Sequence, residues 1–434
     1  MYSKKTNEIQ SFFIYLLPIC LVTGPFLPDL IVTLSSICFL FFSIKEKFFK
    51  YYNNIFFKIF IIFWIYITVN SIFAINPILS LKSSFFYIRF GIFSILIYYL
   101  LDINKNFIKI FSLCLFFTFF IVLLDSYFQY FLGHNILGMT SPQFNRLSSF
   151  FGDEMIVGSF LSRLFPLILA FGILMNEKGI KNLNIICIIF LILTDVIIFL
   201  SGERTSFGFL VITNVFYIVY ITRYKIFRIF GFLVSILIII FFVMNDDILK
   251  SRMIDQTQSD LKISLQPDKN KDTSLIKEPL IKKSKKKEIV FFSIIHESHY
   301  LTALNMFYDN FLFGVGPNMF RFECSNIKYA TGEFNCTTHP HNTHIQILAE
   351  TGIVGYIIFL IPLMFLGLFF LKNLLRFNKK NSLIDDYKTC LLIAILLTLF
   401  PIAPGGNFFN NWLSIIYFFP IGFIIHAQLN SKKY

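Results

Sequence analysis

Charged residues are scarce in this 434-residue sequence, making up 15% of it, whereas an average soluble domain has about 25%. Hydrophobic residues account for 56%, aromatic residues for 19%, and the mean hydropathy is +0.70. A water-soluble fold of this length could not bury so much apolar surface. The apolar residues also come in blocks of about 20, the length that spans a bilayer. The composition therefore excludes a soluble enzyme and predicts a polytopic membrane protein.

Several other patterns are missing. Alternating apolar and polar residues are absent, so we expect helices rather than strands to span the membrane. No small-residue cleavage site follows the basic N-terminal residues, which indicates a retained first anchor rather than a signal peptide. No nucleic-acid motif accompanies the net charge of +13, so we attribute the basic residues to short loops at the membrane surface. No Gly-rich phosphate loop is present, which argues against nucleotide binding.

The apolar blocks predict an all-α protein with about twelve transmembrane helices. The spans lie near residues 11–24, 27–44, 55–73, 84–101, 108–131, 154–175, 183–200, 205–222, 227–244, 345–371, 388–403 and 411–428. This divides the chain into helices one to nine (1–244), one large loop (245–344) and helices ten to twelve (345–434).

Lysine and arginine placement predicts the orientation. With this number of spans, the basic residues of the short loops all fall on one side, which places both termini in the cytoplasm and the large loop outside. The front of that loop is polar and rich in lysine over residues 262–287. Its second half, from Ile289, is richer in aromatics and carries GVGPNMF at Gly314–Phe320. We expect the second half to fold against the membrane surface.

Polar side chains inside spans are costly to bury, so each one is a candidate for function. Asp125 and Gln129 lie one helical turn apart on one face of their span. Arg163 is too deep for its guanidinium to reach the membrane surface easily. It either contributes to a functional site or pairs with Asp125 or Asp195 and holds helices together.

Three arginines from separate segments are predicted to lie at one level on the outer side. Arg204, next to Glu203, occupies the tight turn SGERTSFGF between spans seven and eight. Arg252 follows span nine, and Arg146 precedes span six. A guanidinium at the head-group level suits a phosphate or diphosphate, because its planar fork donates two parallel hydrogen bonds. A plain surface ion pair at the turn is the alternative.

The stretch HPHNTHIQILAETGIVGY places His339, His341 and His344 at the outer mouth of span ten. His341 and His344 are three residues apart and could share a metal ion, but no carboxylate pair or cysteine cluster completes a zinc site. Asn342 and Thr343 suit the start of the helix. A neutral imidazole with a pKa of about 6.5 is suited to act as general base toward a hydroxyl group.

Residues around the histidines add to this pattern. Glu350, Gly352 and Gly355 follow in the first turns of the span, where glycine allows close packing or substrate approach. Cys324 and Cys336 are twelve residues apart in the outer loop. In an oxidising compartment we expect them to pair.

Together these motifs resemble the O-antigen ligase and polymerase superfamily. The histidine stretch is similar to its signature, in which a histidine followed by Asn begins a span that carries a Glu and two glycines. GVGPNMF, SGERTSF and NRLSSFFGDEMIVGSFL also match, in the family's order. The resemblance covers about residues 120 to 372, and the lysine-rich front of the loop has no counterpart in it.

The resemblance implies a GT-C-like fold in the bacterial inner membrane. It implies a metal-independent, inverting transfer of a glycan from undecaprenyl diphosphate on the periplasmic face, without a cofactor, to lipid A-core or another glycan. His341 takes the place of the functional histidine, and Arg204 and Arg252 the places of the functional arginines. Further substrate contacts are expected from Arg146, Arg163, Glu203, Asn342, His344, Glu350, Asp125 and Gln129.

Other functions stay open at this point. A repeat-unit polymerase or a protein O-oligosaccharyltransferase would share the donor and the catalytic residues. A lipid-linked glycan transporter would also have many spans and buried charges. Transporters, however, tend to bind substrates at the midplane between internal repeats, whereas this sequence shows no repeat and its polar residues gather at the outer rim.

Overall fold

The computed structural model describes residues 4–143, 146–176, 183–259, 294–332, 334–374 and 382–429. The helices of these ranges are α1 Lys4–Cys20, α2 Phe26–Lys45, α3 Ile55–Ile72, α4 Pro77–Ser84, α5 Ile88–Ile103, α6 Phe107–Leu132, α7 Val157–Asn176, α8 Leu183–Leu200, α9 Arg204–Tyr220, α10 Lys225–Asn245, α11 Asp247–Lys250, α12 Ile294–Asp309, α13 Phe320–Glu323, α14 Thr343–Leu374, α15 Leu383–Thr398 and α16 Asn411–Leu429.

The prediction of an all-α polytopic membrane protein is confirmed. Within the described ranges, eight helical stretches are long and apolar enough to cross a membrane, and two shorter apolar helices, Ile185–Leu200 and Arg204–Tyr220, accompany them. Each predicted span coincides with a helix, although α1 and α15 begin earlier than expected. The fourth predicted span is preceded by a separate short helix, α4. We call the side of the bundle that carries the segment between α10 and α14 the loop face.

Four helices form the centre of the bundle. The most extensive contacts join α7 to α15 and α5 to α16, and aromatic rings fill the space between these helices and α6. The ring centroids of Phe111 and Phe419 are 5.0 Å apart, and those of Phe111 and Phe171 are 5.6 Å apart. Large apolar side chains of α3, α10 and α14 point outward, as expected for helices that face lipid. The loops at the loop face are therefore attached to a packed aromatic core.

Local sequence signals account for several helix ends. The Asn54 side chain accepts a hydrogen bond from the Phe57 N–H at 2.9 Å and caps the start of α3. Ser382 and Asp385 form a capping box at the start of α15. Gly133 ends α6 with a φ of 80°, a conformation that glycine adopts without strain.

The longest helix, α14, is broken at Gly352, where φ is 64° and ψ is −172°. The break frees backbone groups that a continuous helix would pair, and the GVGPNMF segment binds them. The N–H groups of Val315 and Gly316 donate to the carbonyls of Ala349 and Glu350, at 3.0 and 2.9 Å. The loop is thus joined to the interior of the helix by main-chain hydrogen bonds, which satisfies groups that would be costly to leave unpaired in a membrane.

Several contacts hold the segment before α14. Helix α12 packs against α14, and Met306, Met319 and Phe320 are buried in a small apolar cluster with Cys324 and Ala349. Cys324 and Cys336 form a disulfide, with their Cα atoms 5.0 Å apart. The lysine-rich front of the loop, residues 262–287, lies outside the described residues.

The helix break makes a testable prediction about stability. A Cβ atom at position 352 would lie 2.3 Å from the Leu312 carbonyl oxygen, and backbone of this conformation is essentially limited to glycine, costing other residues about 1–3 kcal/mol. We expect Gly352→Ala to lower the free energy of unfolding by about 2 kcal/mol or more, measured as a lower thermal unfolding temperature in detergent.

Gly367→Ala is the matched control, because Gly367 lies in the same helix and a Cβ atom there meets nothing within 4 Å. We expect this change to leave stability unchanged or to raise it slightly. Equal unfolding temperatures for the two variants would contradict the importance of the break.

Candidate active site

The structure brings the three predicted arginines together at the loop face. Arg204 is the first residue of α9, Arg252 lies just beyond α11, and Arg146 lies in the loop that leads to α7. Burial lowers the pKa of the Arg252 guanidinium, and the positive charges of Arg146 and Arg204 lower it further. The three cations are therefore close enough to repel one another, and a bound anion would relieve this repulsion. We call Arg146, Arg204 and Arg252 the outer arginine cluster.

The Glu203 carboxylate accepts hydrogen bonds from the start of α7 and from Ser206. The donors are the N–H groups of Gly158 and Ser159, at 2.8 and 3.1 Å, and the Ser206 hydroxyl at 3.0 Å. The negative charge lies at the N-terminus of α7, where the helix dipole favours it. Gly158 allows this approach, since a Cβ atom there would lie 2.3 Å from the Ser201 hydroxyl oxygen. Glu203 thus joins the turn before α9 to α7; its predicted contact with substrate stays a prediction.

Asp125 and Gln129 hold the loop that carries Arg146. The Asp125 carboxylate accepts the Ile136 N–H at 2.8 Å and the Ser149 hydroxyl at 2.5 Å. The Gln129 side-chain oxygen accepts the Ser148 and Ser149 N–H groups at 2.9 and 2.7 Å. The structure places these two residues beneath the loop that carries Arg146, and their predicted contact with substrate stays a prediction.

Arg163 pairs with neither Asp125 nor Asp195, the two partners that the sequence analysis considered. Asp195 forms a buried ion pair with Arg228, at 2.8 Å, and Asp125 is bound to the loop. Only 4% of Arg163 is exposed, and its Nε donates to the Ser159 hydroxyl at 3.1 Å. The guanidinium lies over the Phe209 ring, 4.9 Å from its centroid.

Two further histidines join the predicted ones. The ring of His341 lies 4.3 Å from that of His339, and 5.4 Å from those of both His296 and His299, measured between centroids. His296 and His299 are three residues apart in α12, and sequence reasoning missed them because no family motif surrounds them. Their helical spacing just ahead of the other histidines is the signal that could have found them. Within the described ranges, no three His, Cys, Asp or Glu side chains are arranged to hold a metal ion.

His344 is engaged through both ring nitrogens. Its Nε2 lies 2.9 Å from the Leu399 carbonyl, to which it donates, and its Nδ1 lies 3.1 Å from the Tyr356 hydroxyl, from which it accepts. These bonds fix the tautomer and join α14 to the end of α15. The geometry supports a structural role for His344.

His339 is also engaged through both nitrogens, with the Gly405 carbonyl at 3.1 Å and the Thr338 hydroxyl at 2.9 Å. His341 differs: among the described residues no hydrogen bond reaches its ring nitrogens. Its backbone has a φ of 56°, uncommon for a residue with a side chain, and its carbonyl accepts the Gly405 N–H at 2.7 Å. Of the three motif histidines, His341 alone presents an unengaged imidazole.

Burial lowers the pKa of His341 to about 3, with further lowering by His339, His296 and His299. Burial likewise lowers the pKa of His339 to about 4. Desolvation disfavours the charged imidazolium in both cases. The imidazole of His341 is therefore neutral at physiological pH and has a lone pair that can accept a proton.

The remaining polar residues of the motif build the mouth around His341. The Asn342 side chain accepts the Ile345 N–H at 3.0 Å and donates to the Pro401 carbonyl at 2.8 Å. It thus caps α14, as its position predicted, and also binds the segment between α15 and α16.

Glu350 lies two residues before Gly352 and is fully buried. Its carboxylate accepts the backbone N–H groups of Asn318 and Phe320, at 2.9 and 3.0 Å. Gln346 donates to the same carboxylate at 3.1 Å. Glu350 therefore fixes the GVGPNMF segment on α14, and its predicted contact with substrate stays a prediction.

Comparison with known proteins agrees with the motifs. Residues 187–360 match the model of the family described as O-antigen ligase. The matched range includes Arg204, Arg252 and His341. It is narrower than residues 120 to 372, the range that the sequence resemblance covers. No curated protein matches the chain. The predicted resemblance to the O-antigen ligase and polymerase superfamily is therefore confirmed, and the chain is a polytopic helical membrane protein in which residues 187–360 are similar to this family.

Proposed function

We propose that this protein transfers a glycan from undecaprenyl diphosphate to an acceptor hydroxyl on the periplasmic face of the bacterial inner membrane, joining O-antigen to lipid A-core. The family match supports membrane glycan transfer in general. The observation that carries the specific proposal is the unengaged imidazole of His341 at the loop face, since His339 and His344 use both of their ring nitrogens.

In the proposed reaction, His341 takes the proton from the acceptor hydroxyl as its oxygen attacks the anomeric carbon. The bond between that carbon and the diphosphate oxygen breaks, and attack from the opposite side inverts the configuration. Arg204 and Arg252 stabilise the negative charge that develops on the departing diphosphate. Fixed guanidiniums lower the barrier because they are already oriented when this charge appears.

Donor binding also adjusts the base. An imidazole with a pKa of about 3 is a weak proton acceptor, and a general base works best when its pKa lies near the operating pH. The diphosphate brings negative charge to the loop face, and negative charge nearby favours the imidazolium. The pKa of His341 therefore rises toward the operating pH in the complex with the donor.

Repeat-unit polymerisation and protein O-glycosylation would use the same donor and the same residues, so they differ in the acceptor. The lipopolysaccharide of a deletion strain separates them. A ligase leaves core without any polymer, a polymerase leaves core with a single repeat, and an oligosaccharyltransferase leaves lipopolysaccharide unchanged.

Replacing the proposed base makes the first functional prediction. We expect His341→Ala to lower the rate of glycan transfer by about 10²–10⁴-fold, the usual contribution of general-base catalysis. His339→Ala and His344→Ala should lower the rate much less, and His134→Ala, a change at an exposed histidine, should not lower it. The measurement is transfer of labelled glycan from undecaprenyl diphosphate in purified membranes, normalised to folded protein. Equal losses at His339, His341 and His344 together with inhibition by a chelator would replace the base with a metal site.

Replacing a guanidinium by an ammonium tests the outer arginine cluster. We expect Arg204→Lys to lower transfer by about tenfold or more, because the loss of one hydrogen bond to a charged group costs about 1.5–3 kcal/mol and lysine cannot reproduce the fork. Arg321→Lys is the control, since Arg321 is exposed in α13. Unchanged transfer in Arg204→Lys would show that Arg204 acts only as a charge or not at all.

The lowered pKa of His341 predicts the pH dependence. kcat/KM reports the free enzyme, in which burial and three neighbouring imidazoles hold the pKa of His341 at about 3. The base should thus remain neutral as the pH falls from 8 to 5, and kcat/KM should stay level over that range. A loss of activity centred near pH 6.5 would mean that the essential imidazole is exposed to water like an ordinary histidine.

A further inference from the structure

Arg163 carries a buried positive charge close to the outer arginine cluster. Only 4% of Arg163 is exposed. Its Nη1 has no hydrogen-bond partner among the described residues. No carboxylate in those ranges forms a salt bridge with it. An ion taken out of water without a partner costs several kcal/mol. Such a cost persists in a protein when the group serves a function.

Glu203, the carboxylate near Arg163, forms its hydrogen bonds with other groups. Glu203 is within electrostatic reach of Arg163, but the Glu203 oxygens accept hydrogen bonds from Gly158, Ser159 and Ser206. Glu203 also interacts electrostatically with Arg146 and Arg252. Glu203 is therefore shared between Arg146, Arg163 and Arg252 and is not the dedicated partner of any one of these guanidiniums.

A second unsatisfied group belongs to a different helix. Tyr417 in α16 is 5% exposed, interacts electrostatically with Arg163, and has a hydroxyl without a hydrogen-bond partner in the described ranges. The Thr343 hydroxyl is close to it, but the geometry between them does not form a hydrogen bond. Buried tyrosine hydroxyls usually have a partner, so an acceptor is missing here as well.

The side chains of Arg163 and Tyr417 lie at the same depth, and both donate hydrogen bonds. Arg163 and Tyr417 each lie six residues from the loop-face end of their helix, α7 and α16, a depth of about 9 Å. Both donate hydrogen bonds, and one of them is a cation, so the group that satisfies them must be an acceptor with negative charge. Thr343 belongs to the start of α14, next to the His341 motif, which places this pair between the outer arginine cluster and the histidines.

We propose that Arg163 and Tyr417 form an inner anion subsite that binds the phosphate attached to the polyprenyl tail of the donor, while the outer arginine cluster binds the phosphate attached to the sugar. This inference rests on the proposed function and adds to it an assignment of the two phosphates. The deeper pair takes the tail-side phosphate because the tail enters the apolar part of the bilayer.

The test compares two lipids on the full-length protein in nanodiscs: undecaprenyl monophosphate, which has only the tail-side phosphate, and undecaprenyl diphosphate. We expect Arg163→Gln to weaken binding of both lipids at least tenfold, and Tyr417→Phe to weaken both by a smaller factor. Arg204→Gln should weaken binding of the diphosphate alone. Tyr87→Phe is the control for the tyrosine, because Tyr87 is also buried with an unpartnered hydroxyl but lies among aromatic rings of the core.

The unfolding temperature separates binding from structure. A guanidinium kept for a ligand is a burden on the ligand-free protein, so Arg163→Gln should leave the unfolding temperature unchanged or raise it. A lower unfolding temperature with undiminished lipid binding would make Arg163 a structural residue and overturn the inference.

Three other outcomes of the binding experiment are distinct. If the wild-type protein binds the diphosphate and only Arg204→Gln weakens this binding, the inner subsite is wrong and the proposed function survives. If phosphatidylglycerol displaces undecaprenyl monophosphate at comparable concentration, the pair binds ordinary lipid head groups, which also contradicts the inference. If the wild-type protein binds neither undecaprenyl lipid, the proposed function itself fails.

Discussion

The break in α14 at Gly352 is the constraint on which the loop face depends. A continuous helix would pair its own backbone groups and leave nothing for the loop to bind. The break instead offers the Ala349 and Glu350 carbonyls to Val315 and Gly316. The Glu350 side chain then fixes the backbone of the next few residues. Strained backbone is thus held by several hydrogen bonds at once, the condition under which such strain persists at functional sites.

Beyond this anchor, the loop face carries two kinds of functional group. Cations come from the α6–α7 loop, from α7, from the start of α9 and from the segment after α11. Two of them are fixed by backbone carbonyls, since Arg146 donates to Met155 and Arg252 donates to Gly202. Imidazoles come from α12 and from the segment before α14. The hydrogen bonds of Glu203 and Asp125 go to backbone N–H and hydroxyl groups, and Glu203 also interacts electrostatically with Arg146, Arg163 and Arg252. Several guanidiniums beside a neutral base suit a reaction that binds a diphosphate dianion, stabilises the further negative charge that it gains on leaving, and removes one proton from an alcohol.

Much of this could be predicted from the sequence, because the signals are local. Long apolar blocks indicated the spans, and the HN motif distinguished His341 from its neighbours. The helix break could not be predicted, since the apolar run continues through Gly352 and hydropathy does not report φ. His296, His299 and Tyr417 were missed because only the tertiary fold brings them to the motif. The predicted contacts of Glu350, Asp125 and Gln129 with substrate stay predictions. That their polar atoms also hold loops could not be predicted, because this depends on which backbone groups the fold brings near.

The most direct test of glycan transfer is reconstitution of the purified protein in liposomes with a defined donor, undecaprenyl diphosphate carrying a labelled glycan, and lipid A-core as acceptor. The labelled glycan should become covalently bound to lipid A-core, with one undecaprenyl diphosphate released for each product formed and without added metal or nucleotide. Movement of the intact lipid-linked glycan across the bilayer, with no product formed, would contradict the account and make the protein a transporter.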